Sequence, residues 1–511
     1  MLTINIKKDN FAYLDDNMNA RLFILLQKSF TRKKKVYNNF FKTYENQIKR
    51  FYSVVTNNRS NLIKIKAGLV PFLCKSLDDN TNIEYKIIDE RRKINKEKIN
   101  IISRLNEEVI LRPYQLHAVQ EVFNNSFGCI QLPTGAGKTE VAASMIKTYM
   151  SAYKNEAILY VVPTIALQTE ASDRFKKYNI PVNTEYPLKN NTVNIVTYLS
   201  LIRANTEKLD YKQRDLISFI IWDEAHHLNA DKSSKIIHKY HNLRMSIGMS
   251  ATPSESVEDK KYLKDLDAED FNIYGCTGKV IYKLDIEETI ENSFVTPIEV
   301  HVVPFNSHII IDDEVNYDWH LLKSVLLKSE ERAEFTAKYT KYVFNKYNLH
   351  TLLLLIPEVQ WSMQYMSKIA EEFIDNKDIK IYELHGQNRI FTYISGKIVE
   401  LKSEKDKQNA YNNIRSSDVK TVFSATSFIF EGVNITSIQA IINCYGGKST
   451  KRIKQQCGRA MRLFENKEIA YIHEIKDNDS RVLLSQFNKR IDVYRKEYNA
   501  KIIQSKFKLD K

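Results

Sequence analysis

Ten short apolar runs, separated by stretches of helical composition, constrain the fold of this 511-residue chain more than any other feature. Nearly continuous apolar runs between helices indicate strands that are buried on both faces, as in a parallel sheet covered by helices. The sequence therefore predicts two doubly wound α/β domains. The runs of the first domain are GCIQL (128–132), AILYVVP (157–163), VNIVTY (193–198), FIIWDE (219–224) and MSIGMS (245–250); those of the second are TLLLLIP (351–357), IKIYELHG (379–386), TVFSAT (421–426), AIINCYG (440–446) and AYIHEI (470–475).

The two groups of runs predict four parts of the chain. Residues 1–104 are expected to form a small α+β domain, with a strand at TINI and a helix around RLFILLQKSF. Residues 105–283 and 284–480 hold the two α/β domains. Residues 481–511 are expected to form a C-terminal helix and a Lys-rich tail. The charged segment 89–108, a helix or a linker, predicts the first boundary.

The charge of the chain indicates a polyanionic partner. Lys and Arg exceed Asp and Glu by 76 to 62, which gives a formal net charge of +14. Neutralised phosphates release counterions, so an excess of this size favours nucleic acid. Residues 32–52 combine a basic run with interleaved aromatic residues. Bases stack on aromatic rings while cations bind phosphates, so residues 1–104 are predicted to bind duplex DNA, although an aromatic core with a solvated basic face fits the same composition.

Neither metal-binding nor membrane-spanning patterns stand out. No two of the five cysteines lie at C-x-x-C spacing, and no H-E-x-x-H pattern surrounds His226 and His227, so we expect neither zinc nor a disulfide framework. The first residues lack the apolar segment of a signal peptide, and no apolar run approaches the roughly 18 residues of a membrane span. The chain is therefore expected in the reducing cytoplasm of a bacterial or phage-infected host cell, without a membrane partner.

A phosphate-binding loop is predicted immediately after the first apolar run. GCIQL continues into PTGAGKT, and a helical stretch follows, which is the context that a P-loop requires. Glycines let main-chain N–H groups surround phosphates at a helix N-terminus. Lys138 is predicted to reach the β- and γ-phosphates of ATP, and Thr139 to hold Mg²⁺, while Leu132 replaces the first glycine of the motif. The other residues predicted to line this loop are Pro133, Thr134, Gly135, Ala136 and Gly137.

The run FIIWDE supplies the acidic half of the predicted nucleotide site. It ends in Asp223, Glu224, Ala225 and His226, at the carboxyl end of a buried strand that we expect beside the P-loop strand. Asp223 is predicted to bind Mg²⁺ and Glu224 to polarise the attacking water, with His226 also contacting the nucleotide. The alternative is a pair of surface acids that cap a strand.

Four motifs in order resemble a known family. LPTGAGKT, DEAH, SATP (250–253) and QQCGRAMR (455–462) together resemble a superfamily-two DEAH-type helicase or translocase over residues 109–480. This resemblance implies two RecA-like domains with ATP between them. It also implies that Ser250, Ala251 and Thr252 couple hydrolysis to movement.

The resemblance implies further nucleotide contacts. LRPYQ (111–115) resembles a Q motif, in which Gln115 contacts adenine and Arg112 lies nearby; the alternative is a plain helix N-terminus with Pro113 in its first turn. Gln455, Arg459 and Arg462 are implied on the second wall of the ATP site, and Arg462 is the expected arginine finger. By the same resemblance, Gly432 and Asn434 face the ATP cleft, although the family has an acid where Asn434 stands.

The nucleic-acid track is also implied by the resemblance. Expected phosphate or backbone contacts are Pro163 and Thr164, Thr197 and Tyr198, and Thr426. GGKS (446–449) looks like a second P-loop ending. No acidic strand end follows it to hold Mg²⁺, so we expect it to be a lead-in loop whose Lys448 touches DNA phosphate.

The basic first hundred residues and the short C-terminal part are most similar to UvsW-type phage branch-migration helicases. This similarity predicts an ATP-dependent DNA helicase or translocase that acts on forked, four-way or R-loop DNA in recombination, repair or replication. One alternative is an RNA helicase or a transcript-release ATPase. Another is an ATP-gated nucleic-acid-binding or sensing module that does not unwind.

Overall fold

The structure is a computed structural model that divides into two compact units. The first unit contains Met1–Leu132 and Gly137–Leu284, and the second contains Pro133–Ala136 and Asp285–Lys511. The residues that the structure describes are 1–15, 20–38, 43–57, 60–207, 209–253, 261–309, 319–356, 358–376, 378–386, 389–394, 397–425, 435–444 and 446–507.

The N-terminal part of the first unit is α+β, as predicted. Its strands are β1 (Leu2–Ile6), β2 (Phe11–Leu14), β3 (Thr31–Asn38), β4 (Thr43–Arg50), β5 (Tyr52–Asn57), β6 (Ser60–Lys66) and β7 (Tyr85–Asp89), with helices α1 (Ala20–Ser29) and α2 (Val70–Asn80). Five of the strands form a sheet in the order β5-β6-β2-β1-β7, while β3 and β4 pair with each other as a separate two-stranded ribbon. The basic run of residues 32–35 lies on this ribbon.

The remainder of the first unit is a seven-stranded parallel sheet in the order β10-β11-β9-β12-β13-β8-β14. All five predicted strands are present, which confirms the first α/β domain; the two-residue β10 and the half-buried β14 were not predicted. The strands are β8 (Phe127–Gln131), β9 (Ala157–Val162), β10 (Val182–Asn183), β11 (Val193–Thr197), β12 (Ile217–Asp223), β13 (Met245–Ser250) and β14 (Val280–Lys283). The helices are α3 (Pro113–Asn125), α4 (Lys138–Ala152), α5 (Ile165–Lys177), α6 (Tyr198–Glu207), α7 (Tyr211–Asp215), α8 (Asp231–Ser234) and α9 (Ala268–Thr277).

The second unit is built on a nine-stranded sheet in the order β19-β18-β17-β20-β16-β21-β22-β15-β23, in which only β18 runs opposite to the other strands and pairs antiparallel with both β17 and β19. Its strands are β15 (Ile298–Phe305), β16 (Thr351–Leu355), β17 (Lys380–His385), β18 (Arg389–Ile394), β19 (Lys397–Leu401), β20 (Thr421–Ala425), β21 (Ala440–Asn443), β22 (Ala470–Asp477) and β23 (Lys501–Gln504). The helices are α10 (Ile286–Glu291), α11 (Trp319–Leu322), α12 (Glu330–Lys346), α13 (Val359–Glu372), α14 (Glu404–Arg415), α15 (Thr450–Ala460) and α16 (Arg481–Tyr498).

The second sheet is covered on both faces, as its apolar strands predict. Successive side chains of a strand point to opposite faces. Leu353 and Leu355 of β16 accordingly pack into one apolar core, and Leu352 and Leu354 into another. Both α/β domains are therefore doubly wound and RecA-like, and no helix in the described part of the chain is long and apolar enough to cross a membrane.

Two connecting segments differ in detail from the expectation. The charged segment 89–108 is a linker without an α-helix, and its Arg92 donates to Glu156 at 2.6 Å, which also accepts from Arg244. The C-terminal helix is present as α16, but residues 501–504 of the expected tail form a strand parallel to β15. The five cysteines are free thiols.

The N-terminal sheet and the first α/β domain share one apolar core within the first unit. Phe51 stacks on Phe271 of α9, with ring centroids 4.6 Å apart. The turn Ala67–Leu69 lies so close to α9 that a Cβ on Gly68 would be 2.1 Å from the carbonyl oxygen of Tyr274. Only glycine fits there, because a helix carbonyl cannot move aside.

We therefore expect Gly68→Ala to lower the free energy of unfolding of the first unit by about 1–3 kcal/mol, the usual cost of overpacking. Gly275→Ala is the matched control on the opposite side of this interface. Its added Cβ would first meet the Lys66 side chain, which can shift, and alanine favours the helix. Denaturant unfolding of both variants checks this expectation, and an equal loss for the two would contradict it.

Candidate nucleotide site

The loop between β8 and α4 has the geometry of a phosphate-binding loop. Gly135 has φ of +90° and Gly137 has φ of +76°, a left-handed conformation that glycine adopts without strain. Gly137 is the N-cap of α4, which begins at Lys138. The first main-chain N–H groups of a helix have no partner within it, so they are available to an anion at this loop.

The two acids lie at the carboxyl end of β12, and Lys138 reaches one of them. The Lys138 Nζ is 3.4 Å from Oε1 of Glu224. The expectation that β12 adjoins the P-loop strand is wrong, because β13 lies between β12 and β8. The carboxyl ends of all three parallel strands nevertheless lie at the same edge of the sheet, and the long Lys138 side chain spans the distance.

Hydrogen bonds hold the Asp223 carboxylate in place. The Tyr160 hydroxyl donates to Oδ2 at 2.9 Å, and the Glu224 main-chain N–H donates to Oδ1 at 3.0 Å. The Tyr198 hydroxyl donates to the Asp223 main-chain carbonyl at 3.0 Å. Glu224 itself has φ of +46°, a strained backbone conformation for a residue other than glycine. Such strain is tolerated where the surroundings determine the position of the side chain.

The neighbouring carboxyls differ in their affinity for protons. Burial, together with the adjacent Glu224 carboxylate, raises the pKa of Asp223 to about 6. Burial acts to raise the pKa of Glu224, but the Lys138 ammonium, His226 and His227 together outweigh it and lower that pKa to about 2. Glu224 is therefore ionised throughout the neutral range. A cation bound beside Asp223 would stabilise its ionised carboxylate and lower its pKa.

His226 connects the acidic turn to the end of β13. Its Nδ1 lies 3.2 Å from the Ser250 hydroxyl and 3.4 Å from Oε2 of Glu224. The Ser250 hydroxyl also accepts from the Thr252 main-chain N–H at 3.1 Å. Glu224, His226 and Ser250 thus form one connected group, which supplies a physical path between the acidic turn and the SATP segment that contains Ala251.

Gln115 lies against the phosphate-binding loop. Its Oε1 accepts from the Arg112 main-chain N–H at 2.9 Å, at the start of α3, and a Cβ on Gly137 would lie 2.3 Å from its Nε2. Pro113 is in the first turn of α3, as the plain helix-terminus alternative expected. The structure therefore shows Gln115 as a neighbour of the P-loop, and its contact with adenine stays a prediction.

Helix α15 in the second unit carries Gln455 and Arg459, and Arg462 follows its C-terminal end. Residues 133–136, which include Thr134 and Ala136, belong to this unit. A Cβ on Gly458 would lie 2.2 Å from Cβ of Thr134, so glycine is required there. A Cβ on Gly135 would be 3.7 Å from Cγ of Arg462.

The residues predicted to contact nucleic acid have different environments. The Thr164 hydroxyl accepts from the Leu167 N–H at 3.3 Å and caps α5, directly after Pro163. Thr197 exchanges hydrogen bonds with Ser200. The Tyr198 side chain is 6% exposed and supports the acidic turn, so it does not face solvent. The predicted residues Thr426, Gly432 and Asn434 lie outside the described part of the chain.

Two residues with apparent roles were not predicted. Tyr160 lies within the apolar run AILYVVP, and its hydroxyl marks it as a candidate for a polar contact, because a tyrosine hydroxyl within a buried strand needs a partner. Lys467 donates to the main-chain carbonyls of Thr436 and Ile438, and burial lowers its pKa to about 7, with Arg462 adding a smaller effect. No sequence pattern marked Lys467, because its burial depends on the fold.

The donors present fit a magnesium nucleotide. Mg²⁺ is usually held by one or two carboxylates and keeps several waters. Asp223, whose pKa is raised by burial beside a second carboxylate, and the Thr139 hydroxyl at the start of α4 are such donors. Within the described residues no group of three or more His, Cys, Asp or Glu side chains is arranged to hold a metal ion.

Two family models match the chain. The model described as "Type III restriction enzyme, res subunit" matches residues 108–255, and "Helicase conserved C-terminal domain" matches residues 341–464. With the two RecA-like sheets and the motif set, these matches place the chain among the superfamily-two helicases, which are ATP-dependent enzymes.

The chain is related in particular to the ATP-dependent DNA helicase uvsW of Enterobacteria phage T4, at 21% identity over 388 residues, or 71% of this chain and 68% of that protein. It is 26% identical over 418 residues to putative helicase 22 of Sulfolobus islandicus filamentous virus, covering 76% and 68% of the two chains. It is also 26% identical over 390 residues to the DNA 3'-5' translocase XPB2 of Sulfurisphaera tokodaii, covering 70% and 80%.

A solved fragment of a type I restriction enzyme HsdR subunit from Vibrio vulnificus YJ016 has the same fold. Its TM-score is 0.57 at 16% identity, and the match covers 96% of this chain and 83% of that one. At this identity the likeness supports the tandem α/β architecture alone.

The hydrogen bond from Tyr160 to Asp223 predicts a pH effect. Because this bond lowers the pKa of Asp223, Tyr160→Phe should raise that pKa and move the acidic limb of the kcat/KM profile for ATP hydrolysis upward by about one pH unit. Tyr198→Phe is the matched control, because its hydroxyl bonds the main-chain carbonyl of Asp223. The profiles are measured without nucleic acid, and equal shifts in both variants would refute the assignment.

Proposed function

We propose that this helicase is an ATP-dependent DNA helicase or translocase that unwinds or branch-migrates forked, four-way or R-loop DNA in recombination, repair or replication. The observation that carries the proposal is the connected group of Lys138, Glu224, His226 and Ser250. This group joins a P-loop, an acidic turn and the SATP segment at the carboxyl ends of adjacent parallel strands.

The first α/β domain supplies the groups for binding and hydrolysing ATP. Lys138 and the main-chain N–H groups of the P-loop bind the phosphates, while Thr139 and Asp223 hold Mg²⁺, which neutralises charge on the phosphates when bound. Glu224, ionised at neutral pH, accepts a proton from the attacking water. His226 transmits a change at Glu224 to Ser250 through the hydrogen-bonded group described above.

The second unit supplies positive charge to the same nucleotide in this proposal. Arg459 and Arg462 stabilise charge on the transferring phosphoryl group, with Arg462 as the arginine finger. In support, Gly135 of the P-loop packs within that unit near Arg462. Lys467 helps to orient this segment, because it holds the carbonyls of Thr436 and Ile438 near Arg462. Closing and opening around ATP would then alternate the grip on a nucleic-acid strand.

The preference for DNA is supported by charge and by the relatives. Two of the similar proteins are named as a DNA helicase and a DNA translocase. The net charge of +14 and the basic two-stranded ribbon β3–β4 favour a polyanion. We assign duplex-DNA binding to residues 1–104, the two motor domains to residues 105–283 and 284–480, and the C-terminal part to residues 481–511.

The substrate class is tested with a panel of single-stranded, duplex, forked and four-way DNA and matching RNA. We expect forked and four-way DNA to stimulate ATP hydrolysis most and to be unwound in an ATP-dependent gel assay. Unwinding of RNA duplexes without DNA unwinding would identify an RNA helicase instead. ATP hydrolysis stimulated by nucleic acid without strand displacement on any substrate would identify a sensing module.

The role of Glu224 is tested by Glu224→Gln. Loss of the general base should reduce kcat for ATP hydrolysis by about 10²–10⁴-fold, while binding of an ATP analogue is retained because the phosphate contacts remain. The control is Glu108→Gln at an exposed site of the same unit. Retention of wild-type hydrolysis by Glu224→Gln would disprove the proposed role.

A further inference from the structure

The second unit contains a cavity of about 380 Å³ at the carboxyl end of β21, which is the neighbour of β16 in the sheet. Asn443, the last residue of β21, lines it together with residues 446–449, and Trp361 from the start of α13 closes another side. After β16 the chain forms β17 to β20, which all lie on one side of β16 in the sheet. It then forms β21 on the other side of β16, so the strand order reverses between β16 and β21. Crevices at such a reversal of strand order are the usual ligand sites of parallel α/β sheets.

The loop at this cavity is held in one conformation. Gly447 has φ of +132°, which favours glycine, and both of its main-chain polar groups are bonded to α16. Its N–H donates to Oε1 of Gln486 at 2.6 Å, and its carbonyl accepts from Arg490 at 2.9 Å. The loop is therefore pre-organised, and a ligand does not have to order it.

A buried network supports Arg490 in turn. The Glu474 side chain is fully buried, and its carboxylate accepts from Arg490 at 2.8 and 2.9 Å, from Asn443 at 3.0 Å and from Tyr494 at 2.7 Å. A buried carboxylate with this many donors is fully satisfied and rigid. The Glu474 carboxylate thus neutralises the charge of Arg490, and Arg490 in turn positions the loop through the Gly447 carbonyl.

Positive charge lines the cavity, and one unpartnered donor is buried in its wall. None of the described residues that line it is acidic. Lys448 and Arg452 are exposed and have no ion pair within the described residues, and Ser449 is the N-cap of the eleven-residue helix α15. The indole Nε1 of Trp361 is buried and has no hydrogen-bond partner in the described part of the chain. These groups together form a site for an anion.

We propose that this cavity binds a backbone phosphate of the DNA strand, and so forms part of the grip of the second α/β domain. The inference rests on the proposed function. Lys448 and Arg452 supply charge, and the N-terminus of α15 and the Trp361 N–H supply hydrogen bonds. Arg490 and Gln486 are positioning residues, because they act through Gly447.

A nucleotide phosphate is the less favoured source of the same chemistry. The Gly447 N–H already donates to Gln486, so it cannot join a cradle of N–H groups. Asn443 ends the strand where the first domain has an acid, and none of the described lining residues is a carboxylate that could hold Mg²⁺. GGKS therefore lacks two features that PTGAGKT has: a glycine N–H that is available to a phosphate, and an acid at a nearby strand end that could hold Mg²⁺.

The test measures binding of fluorescein-labelled single-stranded DNA to the full-length protein at several salt concentrations. Each lost phosphate contact should reduce the slope of log K against log[salt] by about 0.7 on a single strand. Because the cavity holds one phosphate, we expect Lys448→Ala/Arg452→Ala to lose about 0.7 from the slope and at least several-fold in affinity. Trp361→Phe, which keeps the ring but removes the N–H, should weaken binding at constant slope.

The matched control is Lys489→Ala/Arg495→Ala, which removes one exposed lysine and one exposed arginine from α16 without touching the cavity. Thermal unfolding checks that each variant is folded. An equal loss of slope in the control and cavity variants, or no loss in either, would overturn the proposal. If the cavity proposal fails in this way but the unmodified protein still unwinds DNA, the proposed helicase function stands. If the unmodified protein binds no DNA, the cavity proposal and the proposed function are both overturned.

A second arm separates the two sources of phosphate. Lys138→Ala is expected to abolish binding of a fluorescent ATP analogue. Residual stoichiometric binding that disappears when Lys448→Ala is added would show a nucleotide in the cavity and would contradict the DNA assignment. Absence of residual binding, together with the reduced salt slope of the cavity variant, supports it.

Discussion

Two carboxylates placed next to each other at the end of a buried strand repel, and the Lys138 ammonium is the group that offsets this repulsion. It lies 3.4 Å from Glu224, and its charge keeps that carboxyl ionised despite burial. Burial and the neighbouring Glu224 carboxylate raise the pKa of Asp223, and the Tyr160 hydroxyl stabilises its ionised form. The site is therefore prepared for a second cation beside Asp223, and removal of Lys138 would leave the two acids without compensation.

The strands buried on both faces were predicted to within a few residues, because their side chains must be apolar in both directions. TLLLL of β16 shows why, since its alternate leucines enter two different cores. Strands at the sheet edges escaped prediction. KIVEL of β19 and KIIQ of β23 are half-exposed and contain charged or polar residues, so they lack a continuous apolar pattern. Strand order was not predictable either, and the separation of β8 and β12 by β13 followed from packing rather than from any local pattern.

The sequence motifs predicted which residues belong to the candidate site, whereas the hydrogen bonds that connect these residues were visible only in the structure. Motif spacing places Glu224 and Ser250 at strand ends, but it does not place His226 between them. Tyr160 reaches Asp223 because β9 and β12 are neighbours in a parallel register that sets Tyr160 beside Ile221. Hydrogen bonds between strands distant in sequence depend on such registers, which single-sequence patterns do not encode.

The two glycine loops show how similar sequences acquire different chemistry. In PTGAGKT, the left-handed Gly137 opens directly into a fifteen-residue helix, with Lys138 at its first position and an acidic strand end within reach. In GGKS, Gly447 is tied through both of its main-chain groups to α16, so its N–H is no longer a donor for a ligand. What remains there is positive charge without a carboxylate. Such a site can hold a phosphate, but it lacks the groups that cleave one.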